Sequence, residues 1–344
     1  MRAALRIVAA VALIVGVGTA AASRGSGGTF PAVSSFDPRL SPDGAWIAYQ
    51  REAVSGGRAA IWLMRADGAQ KHSLTPAGFE QASWSADGRA LAFQSIGNPS
   101  DVFTIPFEGG PITRLTDAPD LDFYPRFAPD GTRIAFVKGS FDDLPPPSVL
   151  DVYSMKPDGS DRKRLTQFGV GDAGLATGPE WAPNGNRILF IAAARAGGDG
   201  FQLHLMNADG SGQREVTHLQ AQVDEYAWAP NGRRIAFTTV WGRGFYTVNT
   251  TDGTVRRRTR TIDYEPAWSP DGRTIALRRV DREGDRVVLV RPDGTHARTL
   301  FSGGRAGGTV RHPVWTPNGR ALLFEYNGRI YRVGRDGHGL RPLT

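Results

Sequence analysis

Trp268-Ser269-Pro270-Asp271-Gly272-Arg273-Thr274-Ile275-Ala276-Leu277 decides the architecture. Pro270 presets φ at the second position of a turn, Asp271 can hydrogen-bond its own backbone, and Gly272 takes a positive φ that would strain other residues. Trp268 closes an incoming strand. Ile275 and Leu277 lie two apart on the outgoing strand and so share a face. The stretch therefore reads as a β-hairpin.

Near copies of this turn occur at Ser41–Gly44, Ser85–Gly88, Ala128–Gly131, Ala182–Gly185, Ala229–Gly232 and Thr316–Gly319, preceded by Leu40, Trp84, Phe127, Trp181, Trp228 and Trp315. Asn replaces Asp at 184, 231 and 318, which preserves the turn chemistry. Each copy leads into an apolar run such as Ile134-Ala135-Phe136 or Ile235-Ala236-Phe237, then a third strand, a second turn such as Asp158-Gly159, and a short fourth strand ending in Leu-Thr or close to it, most clearly at Leu74-Thr75, Leu115-Thr116, Leu165-Thr166 and Leu343-Thr344. Successive turn Asp/Asn residues are 40 (Asn231 to Asp271) to 54 (Asp130 to Asn184) apart. Four short strands at this period are the signature of a propeller blade, whose two apolar faces are buried only by neighbouring blades. The expected fold is all-β, a seven-bladed β-propeller of four-stranded antiparallel blades, with a six-bladed ring as runner-up. The tryptophan series reads as inter-blade core. Ring closure rests either on packing between the first and last blades or on Thr29–Val33 adding to the last one.

Composition agrees. The chain has 344 residues, 43 Gly, 23 Pro and a formal net charge of +7. Only four residues are Lys, so Arg carries the positive charge. The absence of cysteine excludes disulfides, thiolate metal sites, cysteine nucleophiles and an N-terminal lipidated cysteine. Residues 1–22 read as a secretory signal: Arg2 and Arg6, an apolar run Ile7–Gly18 that is short for a membrane span, and Ala20-Ala21-Ala22 as the cleavage site. Residues 23–33 form a linker and 34–344 the propeller. The protein is expected to be exported, periplasmic or extracellular, membrane-anchored only if the signal is retained, and monomeric.

Residues 36–344 resemble the WD40-like propeller repeat of TolB-type proteins, in the Trp-Ser-Pro-Asp-Gly turn, the following Ile-Ala-Phe and the Leu-Thr ending quoted above. The resemblance implies an exported propeller serving the Tol–Pal envelope system, with a lipoprotein partner at one mouth of its channel. TolB itself has six blades and an added N-terminal domain, whereas this sequence carries seven turn motifs. Seven-bladed rings of similar repeats also occur in oligopeptidases and oligogalacturonate lyases.

Segments entering each first strand line one mouth of the channel. Three positions before the residue ahead of each turn stand Asp37, Gln81, Tyr124, Gly178, Glu225, Glu265 and His312; one step further out stand Phe36, Glu80, Phe123, Thr177, Asp224, Tyr264 and Arg311, with Asp122 and Asp263 beyond. The candidate ligand or partner site is Asp37, Glu80, Asp122, Tyr124, Asp224, Glu225, Asp263, Glu265, Arg311 and His312: an acidic and aromatic ring with one cationic corner. The expected role is a non-catalytic protein-binding or scaffold module of the cell envelope, its ligand a protein partner, a peptide or a carbohydrate. The alternative is a carbohydrate lyase or hydrolase using mouth carboxylates as acid and base. No catalytic residue and no cofactor is assigned. Calcium is the one metal considered, with Asp120 and Asp122 or Asp263 and Glu265 offering oxygens. The six histidines are scattered, and no G-x-S-x-G occurs. Arg256-Arg257-Arg258 with Arg260 reads as a charged edge strand. Export argues against nucleic acid as a partner.

Overall fold

A computed structural model describes residues 33–53, 57–117, 119–140, 149–168, 174–193, 200–240, 244–304 and 307–344. The signal segment 1–22, nearly all of the 23–33 linker, the Thr29–Val33 closure strand apart from its last residue, and most of the Gly- and Pro-rich insertions lie outside them. Among the described residues there are 28 strands, numbered β1–β28 in chain order, and each successive four form an antiparallel meander. In the sixth repeat these are β21 (Ile262–Trp268), β22 (Ile275–Asp281), β23 (Gly284–Val290) and β24 (Arg298–Ser302). The repeat predicts seven separate sheets, and here the structure differs. Five sheets of four strands stand apart, while the strands of the third and fourth repeats share one eight-stranded sheet. One parallel partner pair, Leu150 with Leu175, joins them.

The turn chemistry is as the sequence dictates. Asp271 Oδ1 accepts from Ser269 Oγ (2.5 Å) and from the Arg273 N–H (3.0 Å), and Gly272 has φ +65°. The Leu-Thr ending has an equally local cause. Each threonine Oγ1 accepts a backbone N–H from the third strand of its own repeat: Thr75 from Ile61, Thr116 from Val102, Thr166 from Val152 and Thr344 from Ile330, all at 2.9–3.0 Å.

The outgoing second strands form the core. Ile235, Ala236 and Phe237 are all fully buried, as are Leu91, Ala92, Phe93 and Ile275, Ala276, Leu277. Three consecutive buried strand residues mean that both faces are covered, which is the condition of a blade held between two others. The tryptophans close these joints. Indole Nε1 of Trp84, Trp181, Trp228 and Trp315 donates to the carbonyl of Arg39, Arg126, Glu180 and Ala267, each on the first strand of the repeat before (2.9, 3.0, 3.3 and 3.1 Å). Trp268 packs at the equivalent joint, but its Nε1 has no partner. The ring closes by packing. Ile47, Tyr49 and Met64 of the first repeat share a core cluster with Leu323, Ile330 and Leu343 of the last, and the Ser35 N–H bonds Gly328 O at 2.8 Å. Arg256 and Arg257 lie on β20 (Val255–Arg257), which pairs only with the strand before it and is an edge.

Candidate functional site

The first strands of the successive repeats are β1 (Val33–Leu40), β5 (Phe79–Trp84), β9 (Leu121–Phe127), β13 (Leu175–Trp181), β17 (Val223–Trp228), β21 and β25 (Val310–Trp315). Every one carries a register shift just before the turn, at the same place in six of them and one residue earlier in β17. Such a bulge re-aims a side chain and ends regular pairing. At this point Asp37, Gln81, Tyr124, Glu265 and His312 adopt φ of 47–59° and Gly178 adopts 63°. Left-handed backbone at non-glycine residues costs of order 1 kcal/mol each and is held only by its surroundings. The mouth positions aligned from sequence are therefore the bulge positions, with Glu225 the exception to the left-handed set.

Side chains of adjoining repeats hold this strained ring. The Tyr124 N–H donates to Gln94 Oε1 (2.7 Å) and the Glu265 N–H to Glu225 Oε2 (2.6 Å). The His312 N–H donates to Glu265, and the Asp37 N–H to Glu325, in both cases across a blade boundary. His312 Nδ1 contacts Glu325 Oε1 at 2.7 Å. Asp37 also receives Gln50 Nε2 (2.9 Å) and pairs with Arg39 (2.9 Å). The result is a hydrogen-bonded belt running from the fifth repeat through the sixth and seventh into the first.

Burial and mutual charge set the protonation of the belt. Glu225 is pushed well up by burial and then by Glu265 and Asp224. Glu265 is raised by burial, against the pull of His312. Asp224 rises to about 6 through burial and Glu265, and Glu80, which accepts from Gln94 Nε2 at 3.0 Å, rises to about 7 through burial. For His312 burial opposes the charge, but Glu325 and Glu265 prevail and lift it to about 10. Asp37 is also opposed by burial, yet Arg39, His312 and Arg126 hold it below its ordinary value.

The other candidate residues are placed differently. Asp122 is 1% exposed and faces Lys138 Nζ at 3.4 Å, with Asp120 on the same ammonium at 3.3 Å. Asp263 is fully buried against Arg279 (2.7 Å) and accepts from Thr261 Oγ1 (2.8 Å) and Thr259. The carboxylates considered for calcium thus already face cations or the belt, and among the described residues no cluster of three His, Cys, Asp or Glu has metal-site geometry. Arg311 is exposed on the rim. Sequence reasoning missed Gln50, Gln94 and Glu325, which occupy one repeat position directly after Tyr49, Phe93 and Phe324; a polar residue following the buried Ile-Ala-Phe run was the available signal. It also missed Arg39, Arg126 and Glu180, two residues past the bulge.

The TolB beta propeller domain family matches residues 21–231 and 170–343. Among relatives, an uncharacterized protein of Agrobacterium fabrum is 25% identical over 220 residues, 60% of this chain and 71% of that protein. The uncharacterized peptidase YuxL of Bacillus subtilis is 28% identical over 220 residues, 63% of this chain but 30% of its own length. The Tol-Pal system protein TolB of Gluconobacter oxydans is 41% identical over 70 residues, 20% of this chain and 14% of that protein. An oligogalacturonate lyase from Vibrio parahaemolyticus superimposes with a TM-score of 0.68 at 16% identity, over 85% of this chain and 87% of the lyase. A further oligogalacturonate lyase structure with the same TM-score is a complex with manganese. At such identity these structures share the fold. The family match extends over nearly all of the propeller, and the chain belongs to the TolB β-propeller domain family.

Proposed function

We propose that this chain is a non-catalytic binding module of the cell envelope, exported with loss of residues 1–22, whose channel mouth recognises a segment of a protein partner. We read its ring as seven blades, the shared sheet counting as two that touch through the Leu150–Leu175 pair. The carrying observation is what the mouth carboxylates do. Glu225, Glu265 and Glu325 each accept a backbone N–H that holds a left-handed residue of the next repeat in place. Groups committed to such bonds shape a rigid rim; general acids and bases need a lone pair or proton aimed at substrate. The name of the Gluconobacter relative, a Tol-Pal system protein, supports an envelope partner. The test is capture from an envelope extract, with cross-linking and mass spectrometry, by wild type and by the rim variant Gln81→Lys/Arg311→Glu. Recovery of the same proteins in equal amount by both would remove the mouth from consideration.

A second reading, a carbohydrate-cleaving enzyme, draws on the raised carboxyls Glu80 (about 7) and Asp224 (about 6) and on the fold shared with oligogalacturonate lyase. Product formation from oligogalacturonates that is lost in both Glu80→Gln and Asp224→Asn would favour it. Metal dependence of such turnover would extend it to the manganese seen with the neighbouring lyase.

A further inference from the structure

One level below the bulge, the first strands change character from repeat to repeat. Four indole bonds mark this level, those of Trp84, Trp181, Trp228 and Trp315 to the carbonyls of Arg39, Arg126, Glu180 and Ala267, each two residues past the bulge. The residues there are Arg39, Ser83, Arg126 and Glu180 in the first four repeats, and Ala227, Ala267 and Val314 in the last three. All seven are half-buried. One half of the ring is therefore charged and the other aliphatic.

The charged half is not internally satisfied. Arg39 is paired through one terminal nitrogen with Asp37 (2.9 Å), but its Nε is buried without a partner. Arg126 donates one terminal nitrogen to its own neighbour, Pro125 O (3.0 Å), and lies over the Tyr124 ring at 5.9 Å. The two arginines repel each other, and Glu180 is near enough to feel both. Among the described residues, neither arginine has an ion pair with Glu180 within 4.0 Å. Ser83, between the arginines, is small, and its Oγ is already taken by the Phe127 N–H (3.1 Å). Two guanidinium groups with idle donors, on the first and third repeats either side of small Ser83, match a bidentate anion better than they match each other.

We propose that Arg39 and Arg126 form a carboxylate-binding site inside the channel, with the aliphatic flank of the ligand against Ala227, Ala267 and Val314. The proposal rests on the binding-module reading and adds the ligand chemistry. Two sources share that chemistry, the free C-terminus of a peptide segment entering through the mouth and a small free carboxylate. Charge-assisted guanidinium–carboxylate bonds are about twice as strong as neutral ones, so loss of the negative charge should be read easily as affinity.

The test titrates full-length protein with a panel of leucine-terminated tetrapeptides, each with a free or an amidated C-terminus, and with N-acetylleucine as the small carboxylate, by calorimetry. Free-acid peptides are expected to bind at least tenfold more tightly than their amides, and Arg126→Gln to abolish that difference while melting like wild type. Arg39→Gln should do the same; because it also releases Asp37, Arg126→Gln is the deciding variant. Binding of peptides well above N-acetylleucine identifies a chain terminus as the source, and equal binding identifies a free small carboxylate. Equal affinity of acids and amides, an unchanged preference in Arg126→Gln, or no saturable binding of any member at millimolar concentration overturns the carboxylate site. If the rim variant Gln81→Lys/Arg311→Glu still loses its protein partner in that case, the binding-module reading survives and only the channel site has failed.

Discussion

Removal of the Glu325 carboxylate should be the costliest single change in the belt. Glu325 is 6% exposed and serves two groups at once, the Asp37 N–H and His312 Nδ1 at 2.7 Å. Glu325→Ala leaves a buried backbone donor unsatisfied, about 1–3 kcal/mol, and takes the nearest counter-charge from a protonated imidazole. Breaking a fully buried ion pair would cost about 3–5 kcal/mol. The imidazole side chain is 41% exposed, so solvent screening reduces that part to about 1–2 kcal/mol. The expected loss is roughly 2–5 kcal/mol, a fall in Tm of about 4–10 °C for a domain of this size. Glu325→Gln keeps an acceptor for Asp37 and should lose only the charge part. The sign with pH follows from linkage. His312 has a folded pKa of about 10 against an ordinary 6.5, so its contribution is complete below pH 6.5 and is lost as pH rises through about 10. Urea unfolding followed by tryptophan fluorescence at pH 6 and pH 10 should therefore show a Glu325→Gln deficit at pH 6 that nearly vanishes at pH 10. Alanine and glutamine variants equally unstable at both pH values, or losses under about 1 kcal/mol, would refute the reasoning.

Three further outcomes follow from the same geometry. Burial raises Glu80 from 4.5 to about 7, so its ionisation removes stability as pH rises across that window; Glu80→Gln should flatten the stability profile there and gain roughly 1–3 kcal/mol at pH 8, measured by denaturant melts. Arg279→Met leaves the fully buried Asp263 without its 2.7 Å partner and should cost about 3–5 kcal/mol in the same assay. Trp315→Phe deletes an indole bond to Ala267 O, whereas Trp268→Phe deletes an indole with no partner, so the first should lose about 1 kcal/mol more than the second in calorimetric stability.

The repeat was legible because its causes are local. Pro-Asp-Gly turns, the alternation that buries Ile and Phe, and the threonine that caps the third strand all act within a few residues or one hairpin. The joints were legible in part: tryptophans before the turns pointed to inter-blade packing, and four of them bond the preceding repeat. The mouth was harder. Aligning backwards from the turns found the ring at Asp37, Tyr124, Glu265 and His312, since the bulge falls at a constant distance from the turn. It could not show that the bulge breaks the two-residue period, so the residues past it, Arg39, Arg126 and Glu180, went unnoticed. The proline that follows the left-handed residue at 38, 125, 179, 266 and 313 marks the bulge, because proline removes a ladder donor there. Asp122 and Asp263 resembled mouth acids because sequence does not reveal Lys138 and Arg279 on the adjacent strand. The sharing of one sheet by the third and fourth repeats depends on a single long-range pair, Leu150 with Leu175, and no local pattern encodes it.

The measurement that bears most directly on the binding reading is the affinity of the captured partner for wild type, for the rim variant Gln81→Lys/Arg311→Glu, and for an edge control, Arg256→Glu, by calorimetry in one buffer at fixed salt. The mouth account predicts at least a tenfold loss in the rim variant, with the edge control within twofold of wild type. Equal affinity of the rim variant and wild type, or a loss confined to the edge control, would contradict it.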